Sequence, residues 1–224
     1  MIPLVEWFLG LFDLFFQVDV YLFEIVRSFG AWSYAIITSV VFVETGLVLA
    51  PFLPGDSLIF ASGAFAGKGV FRLSLLFWLF TGAAVLGDTV NYLIGRWCRR
   101  WLAEDRHIRW INRQHLRDAQ DFYAKHGSKM VVIARFVPVI RTFAPFVAGV
   151  GAMPYNVFLA YNIVGGVLWV GSFLWAGYAF GNIPFVSQRF SLVVAGVACI
   201  SLIPLVVEYV SHKRRERADK RAKA

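Results

Sequence analysis

Residues 44–58 read ETGLVLAPFLPGDSL, and residues 134–149 read ARFVPVIRTFAPFVAG. Each stretch breaks a long apolar run with proline, which removes a backbone donor and disfavours helix at the preceding residue. Each break also has one charged residue on either side: Glu44 and Asp56 in the first, Arg135 and Arg141 in the second. An ionisable side chain at membrane depth costs about 2.5–3.5 kcal/mol. We therefore expect these four charges to pair with one another or to act on a substrate.

The composition is that of a membrane protein. The 224 residues are 58% hydrophobic and only 16% charged, with a mean hydropathy of +0.63, whereas soluble domains carry about 25% charged residues. Basic residues concentrate in 96–129 and 213–223, and such segments beside membrane helices stay on the cytoplasmic side. Nucleic-acid binding is disfavoured because a soluble basic face with aromatic stacking platforms is missing.

The pattern predicts an all-α integral membrane protein in three parts. Residues 1–29 form an N-terminal amphipathic helix, with a polar stripe at near-helical spacing made by Glu6, Asp13, Gln17 and Glu24. Such a stripe favours a helix lying in the membrane interface over one that crosses. A membrane domain over 30–211 and a basic cytoplasmic tail over 212–224 follow.

The membrane domain is predicted to contain two re-entrant helical hairpins and about three spanning helices. The apolar piece 56–66 is too short to cross a hydrocarbon core of about 30 Å, so the hairpin interpretation is favoured over a span. Irregular backbone at that depth survives only where protein or a watery cavity surrounds it. The predicted order is a re-entrant hairpin over 31–66, a span over 71–98, a cytoplasmic segment over 99–128, a re-entrant hairpin over 129–150, and spans over 154–181 and 187–210.

The two halves are predicted to repeat. At an offset of 84 residues, Phe52 matches Phe136 and Pro54 matches Pro138, and glycines at 67, 82 and 87 match glycines at 151, 166 and 171. With the tail in the cytoplasm, counting crossings places the two hairpins on opposite faces, which makes the repeat inverted. Transporters commonly build a midplane binding site from such broken, inverted elements.

The two arginines are the candidate anion site. Arginine stays charged and presents a planar fork of donors that binds phosphate in a bidentate way, so Arg135 and Arg141 are assigned to substrate phosphate. Glu44 and Asp56 are assigned to proton coupling, because desolvation disfavours the charged form of a buried carboxylate. Two other interpretations stay open: Asp56 as the N-cap of the second half-helix, and all four charges as purely structural salt bridges.

Asp88 and Asn91 share a face of the predicted span 71–98 and are candidate supporting residues. The four histidines fall outside the predicted membrane depth: His107, His115, His126 and His212. Cys98 and Cys199 make no metal-ligand spacing. Without a nucleophile–base pair at membrane depth, or an HExxH, P-loop or GxSxG pattern, we expect neither an enzyme nor a metal or other cofactor.

Three motifs resemble the signatures of the bacterial DedA family, part of the SNARE-associated Golgi or VTT-domain superfamily. They are the 44–58 stretch, GDTVNYLIGR at 87–96, and KHG at 125–127 followed by the 134–149 stretch. The resemblance implies a multi-pass inner-membrane protein with two re-entrant hairpins, linked to envelope maintenance and transport driven by the proton motive force. It also implies movement of lipids, because some members resemble flippases that recycle undecaprenyl phosphate. The family's important acids and arginines fall on Glu44, Asp56, Arg135 and Arg141.

Three functions are consistent with these residues. The first is a proton-coupled transporter or flippase whose substrate is a phospholipid or polyprenyl phosphate. The second is a cation or drug/proton antiporter that binds its substrate through Glu44 and Asp56. The third is a non-transporting membrane scaffold in which the charges only hold the hairpins together. The expected partners are the lipid substrate, protons and membrane lipids, and not nucleic acid.

Overall fold

A computed structural model describes residues 18–46, 55–103, 123, 127–181 and 183. Over these residues the regular secondary structure is helical, with seven α-helices and one 3-10 turn. They are α1 (Val18–Phe29), the 3-10 turn Gly30–Trp32, α2 (Ser33–Gly46), α3 (Gly55–Gly67), α4 (Leu73–Ala103), α5 (Met130–Ala134), α6 (Pro138–Val150) and α7 (Tyr155–Gly181). Over the described residues, the predicted all-α architecture is confirmed.

Three helical stretches are long and apolar enough to cross a membrane: Glu24–Gly46, Leu73–Trp101 and Tyr155–Gly181. The last two correspond to the predicted spans 71–98 and 154–181. The first extends across the predicted boundary at residue 29, because the 3-10 turn joins α1 directly to α2. Gly30 makes that joint with φ +52°, a left-handed conformation that costs glycine little. The polar stripe before residue 18, the span 187–210 and the tail lie outside the described residues.

The second proline break is well defined. Val137 is extended, at φ −114° and ψ 107°, as expected for a residue that precedes proline. Pro138 then occupies the start of α6, where its missing amide leaves no hydrogen bond unmade. Arg135 lies in the turn between α5 and α6, and Arg141 lies one turn into α6. The break thus separates the two arginines without moving them far apart.

The first break lies between α2 and α3, and its residues 47–54 fall outside the described part of the chain. On its far side α3 is buried from Gly55 to Ala66, and most of its residues are apolar, with no polar face. A helix of that kind belongs inside a protein rather than on its surface. Surrounding protein therefore shields α3 from lipid.

Helix α3 packs most extensively against α7, and glycines let the two backbones touch. A Cβ on Gly63 would collide with the carbonyl oxygen of Leu174 and approach the amide of Tyr178 to 3.0 Å. A Cβ on Gly177 would likewise collide with the carbonyl of Phe60. Small residues at helix interfaces are the usual means of close packing in membranes, where lipid is as apolar as the side chains.

Helix α6 packs against α4 in the same manner. A Cβ on Gly149 would collide with the carbonyl of Tyr92 and come within 2.8 Å of the Arg96 amide, and one on Gly95 would collide with the carbonyl of Phe146. We call these two contacts, of α3 with α7 and of α6 with α4, the glycine seams. Each has one glycine on the short helix and one on the long helix, and each glycine faces the backbone of the partner helix. In both seams, the short helix of one half of the chain packs on the long helix of the other half.

Replacing Gly63 with alanine is expected to lower stability by about 1–3 kcal/mol, the usual cost of overpacking a well-filled contact. The matched control is Gly82→Ala on α4, where an added Cβ meets nothing within 4 Å. That change is expected to be neutral or to stabilise by up to about 1 kcal/mol, because alanine favours helix. Thermal unfolding of the two variants in detergent provides the measurement. Equal melting temperatures would contradict the close α3–α7 contact.

Candidate functional site

Arg141 joins α6 to the acids of the first break. Its Nη2 donates to Glu44 Oε1 at the end of α2, and its Nη1 donates to Asp56 Oδ1 at the start of α3. Glu44 is fully buried and Asp56 is 6% exposed. The guanidinium of Arg141, which follows the second break, therefore binds both predicted proton-coupling residues, which lie on either side of the first break.

The first residues of α3, Gly55 and Asp56, contact the Arg141–Glu44 pair directly. The helix begins at Gly55, so Asp56 lies in the first turn rather than at the N-cap position. Its carboxylate instead accepts hydrogen bonds from Arg141 and from the Trp169 indole, whose Nε1 is 3.0 Å from Oδ1. A Cβ at position 55 would collide with the Glu44 carboxylate, so glycine there allows Glu44 to approach the helix.

Arg135 does not pair with the acids of the first break, in contrast to the salt bridges that the sequence left open. Its Nη2 donates to Asp88 Oδ2 and to Asn162 Oδ1, and not to Glu44 or Asp56. The arginine is only 4% exposed. Asp88, a candidate supporting residue, is thus the counter-ion of Arg135, because α4 carries it to the turn between α5 and α6.

Two residues of α7 complete the site and were missed from the sequence. Asn162 accepts from Arg135 and donates through Nδ2 to the carbonyl of Val85, at 3.0 Å. Trp169 lies between the arginines, with its ring centroid 5.0 Å from Cζ of Arg141 and 5.9 Å from Cζ of Arg135. The sequence contained a signal for each residue. Asn162 is an amide within an apolar helix. Trp169 lies far from the helix ends, whereas aromatic belts usually lie at those ends.

Asn91 supports the site through the backbone of α6. Its Nδ2 donates to the carbonyl of Thr142 at 2.7 Å, close to Pro145, which lies inside α6 and supplies no backbone donor. The Tyr123 hydroxyl donates to the carbonyl of Ala144 at 2.8 Å. Burial raises the pKa of Tyr123, so this donor stays protonated. Asn91 and Tyr123 thus each donate to a backbone carbonyl of α6 close to the proline.

Among the described residues, the network contains one more acid than base. Three carboxylates face two guanidinium groups, which leaves one negative charge in excess when all are ionised: Glu44, Asp56 and Asp88 against Arg135 and Arg141. Within the described residues, Oε2 of Glu44 has no hydrogen-bond partner. A single proton on Glu44 would therefore neutralise the network of described residues.

The described residues leave little free space between the two arginines. A cavity of about 10 Å³ lies among Thr45, Asp88, Arg135, Arg141, Thr142 and Trp169, which is about the smallest volume that holds one water molecule. A phosphate group therefore fits between the arginines only after their acidic partners separate from them.

Comparison with known proteins places these residues in context. Residues 53–179, more than half of the chain, match the family model of the VTT domain. The chain is 46% identical over 206 residues to Protein DedA of Escherichia coli strain K12, covering 91% of this chain and 94% of that protein. It is 33% identical over 162 residues to Inner membrane protein YghB of the same strain, covering 70% and 71%. It is 31% identical over 175 residues to Inner membrane protein YqjA, covering 78% of each. No solved structure matches.

Proposed function

The chain belongs to the VTT-domain family together with DedA, and on that premise we propose that it is an inner-membrane transporter or flippase for a phosphate-bearing lipid, driven by the proton motive force. The carrier lipid undecaprenyl phosphate is the representative substrate. The observation that carries the proposal is the largely buried fork of Arg141, held between two carboxylates. No enzymatic step is included.

The resting pairs are the counter-ions that a substrate would replace. A phosphate oxygen pair matches the guanidinium fork as well as carboxylates do. In the proposed cycle, a proton arriving at Oε2 of Glu44 removes its charge and weakens one arm of the Arg141 contact. The incoming phosphate then takes the donor that Glu44 has released. When Glu44 releases the proton on the other side of the membrane, it becomes charged again. The Glu44–Arg141 pair then re-forms and expels the phosphate.

The proposal includes two re-entrant hairpins in an inverted repeat, with the C-terminus in the cytoplasm. Helices α3 and α6 have 13 residues each, or about 20 Å at 1.5 Å per residue, which is less than the hydrocarbon thickness of about 30 Å. The matching glycine seams of α3 on α7 and of α6 on α4 support the repeat. The orientation is supported by the basic residues that follow α4 and by the basic tail.

A cation or drug/proton antiporter is the second candidate, and the excess negative charge of the network favours it. A cationic substrate would neutralise that charge as a proton does. In the antiporter, binding of the cation releases the proton, whereas in the flippase the proton leaves when the phosphate leaves. Only the flippase requires the planar guanidinium forks of the arginines.

The proposal is tested with purified protein in liposomes, using labelled polyprenyl phosphate, other anionic lipids and a cationic drug, each with and without a pH gradient. We expect protein-dependent movement of the polyprenyl phosphate that increases at least severalfold with the gradient. Gradient-driven movement of the drug alone would overturn the proposal in favour of the antiporter. If the protein moves neither the polyprenyl phosphate nor the drug, the result overturns the transport proposal in favour of the scaffold function.

A further inference from the structure

A second cavity, separate from the charge network, lies where α4 ends and where α6 turns into α7. Its volume is about 160 Å³, and its lining includes Arg96, Arg99, Tyr155 and the backbone turn 152–154. This is more than ten times the smallest volume that holds a water molecule. We call it the interfacial cavity. It has the room for a small polar group that the charge network lacks.

The walls of the interfacial cavity are held in place. The Tyr92 hydroxyl donates to the carbonyl of Met153 at 2.5 Å, and the Tyr92 ring stacks on Phe158 with centroids 4.5 Å apart. Ala152 has φ 62°, an uncommon conformation for a residue with a Cβ and one that surrounding structure must maintain. The turn is therefore fixed against α4 before any ligand binds.

The charged side chains that line this cavity are both positive. Arg96 and Arg99 are three residues apart on α4, so they share a helix face. Within the described residues, neither guanidinium pairs with a carboxylate, in contrast to Arg135 and Arg141. Tyr155 adds a hydroxyl and is the first residue of the 27-residue helix α7, whose N-terminus carries partial positive charge. Two arginine forks and a hydroxyl are donors suited to a phosphate group.

Two tryptophans beside the cavity indicate where the membrane surface lies. Trp97 and Trp101 belong to the same turns of α4 as the two arginines, are exposed, and have ring centroids 4.7 Å apart. Exposed tryptophans mark the boundary between hydrocarbon and water. Lipid phosphate groups occupy the same level. From this placement we infer that the interfacial cavity binds a terminal phosphate group, either that of a lipid phosphate monoester or free inorganic phosphate.

Direct binding to the purified full-length protein tests this inference and needs no transport. Dodecyl phosphate and inorganic phosphate are titrated separately by isothermal calorimetry in a neutral detergent. We expect saturable binding that weakens at least tenfold in Arg96→Gln and in Arg99→Gln. The matched control is Arg100→Gln, an exposed arginine on the same helix that does not line the cavity, and its affinity should stay within twofold of wild type.

The two titrations distinguish the source of the phosphate. Binding of dodecyl phosphate alone identifies a lipid headgroup, and equal binding of both identifies free phosphate. Tyr155→Phe, which removes one hydroxyl and keeps the ring, should weaken the binding severalfold with the fold intact. The inference is overturned if neither compound binds saturably, or if Arg100→Gln weakens binding as much as Arg96→Gln.

The same titration separates this cavity from the charge network. If Arg141→Lys lost binding while Arg96→Gln kept it, the phosphate would lie in the network and the interfacial cavity would not be its site.

Discussion

Replacing Arg141 with alanine should lower stability by about 3–5 kcal/mol and abolish transport, because it leaves Glu44 and Asp56 as buried carboxylates without their cation. Arg141→Lys is the more informative variant. Lysine keeps the charge but has no planar fork, so the protein should fold while transport of labelled polyprenyl phosphate falls at least tenfold. Thermal unfolding in detergent and flux in liposomes, at equal folded protein, measure the two effects.

The control for both variants is Arg100→Ala, which removes an exposed arginine at the end of α4 and should change neither stability nor flux. Full transport in Arg141→Lys would contradict the phosphate-binding role and favour the antiporter. The exchanged pair Glu44→Arg with Arg141→Glu tests the scaffold function. Because these two residues are direct partners, full activity in the exchanged protein would mean that the charges only hold the helices together.

Replacing Glu44 with glutamine should uncouple transport from the pH gradient. Glutamine keeps the size of the side chain and still accepts a hydrogen bond from Arg141, so the fold should remain. It cannot exchange a proton, so the gradient-dependent part of the flux should fall at least tenfold, while exchange without a gradient persists. Flux of labelled polyprenyl phosphate with and without an imposed gradient measures the difference.

Glu24→Gln is the matched control, because Glu24 is an exposed glutamate on the helix that leads into α2. It should leave the response to the gradient unchanged. A normal response in Glu44→Gln would show that another group carries the proton. Asp88→Asn would then be the next variant, since Asp88 is the counter-ion of the second arginine.

The sequence predicted the architecture of the site well where the signals are local. Prolines fix the positions of the breaks, because a missing amide and a fixed φ act within one turn of the chain. The charges beside them stand out because so few residues at that depth are charged. The family resemblance rests on the same stretches and is confirmed by the match over residues 53–179.

The pairing within the site could not be read from the sequence. Whether Arg135 contacts Glu44 or Asp88 depends on how α4 and α7 are rotated and packed, which no local signal sets. Asn162 and Trp169 lie far along the chain from both breaks, and only the packing of α7 brings them to the arginines. The joint at Gly30 was also missed, because a single glycine gives little indication that two helices continue as one stretch of span length.

The exchange of short helices between the halves restricts how the protein can open. Since α3 rests on α7 and α6 rests on α4 through direct backbone contact, moving the halves apart as blocks would break both glycine seams at once. Glycine presents no side chain that would block sliding, so the easier motion is a slip or twist of each short helix along its groove. Arg141 pairs α6 with α2 and α3, so its ion pairs would have to break before either short helix slides.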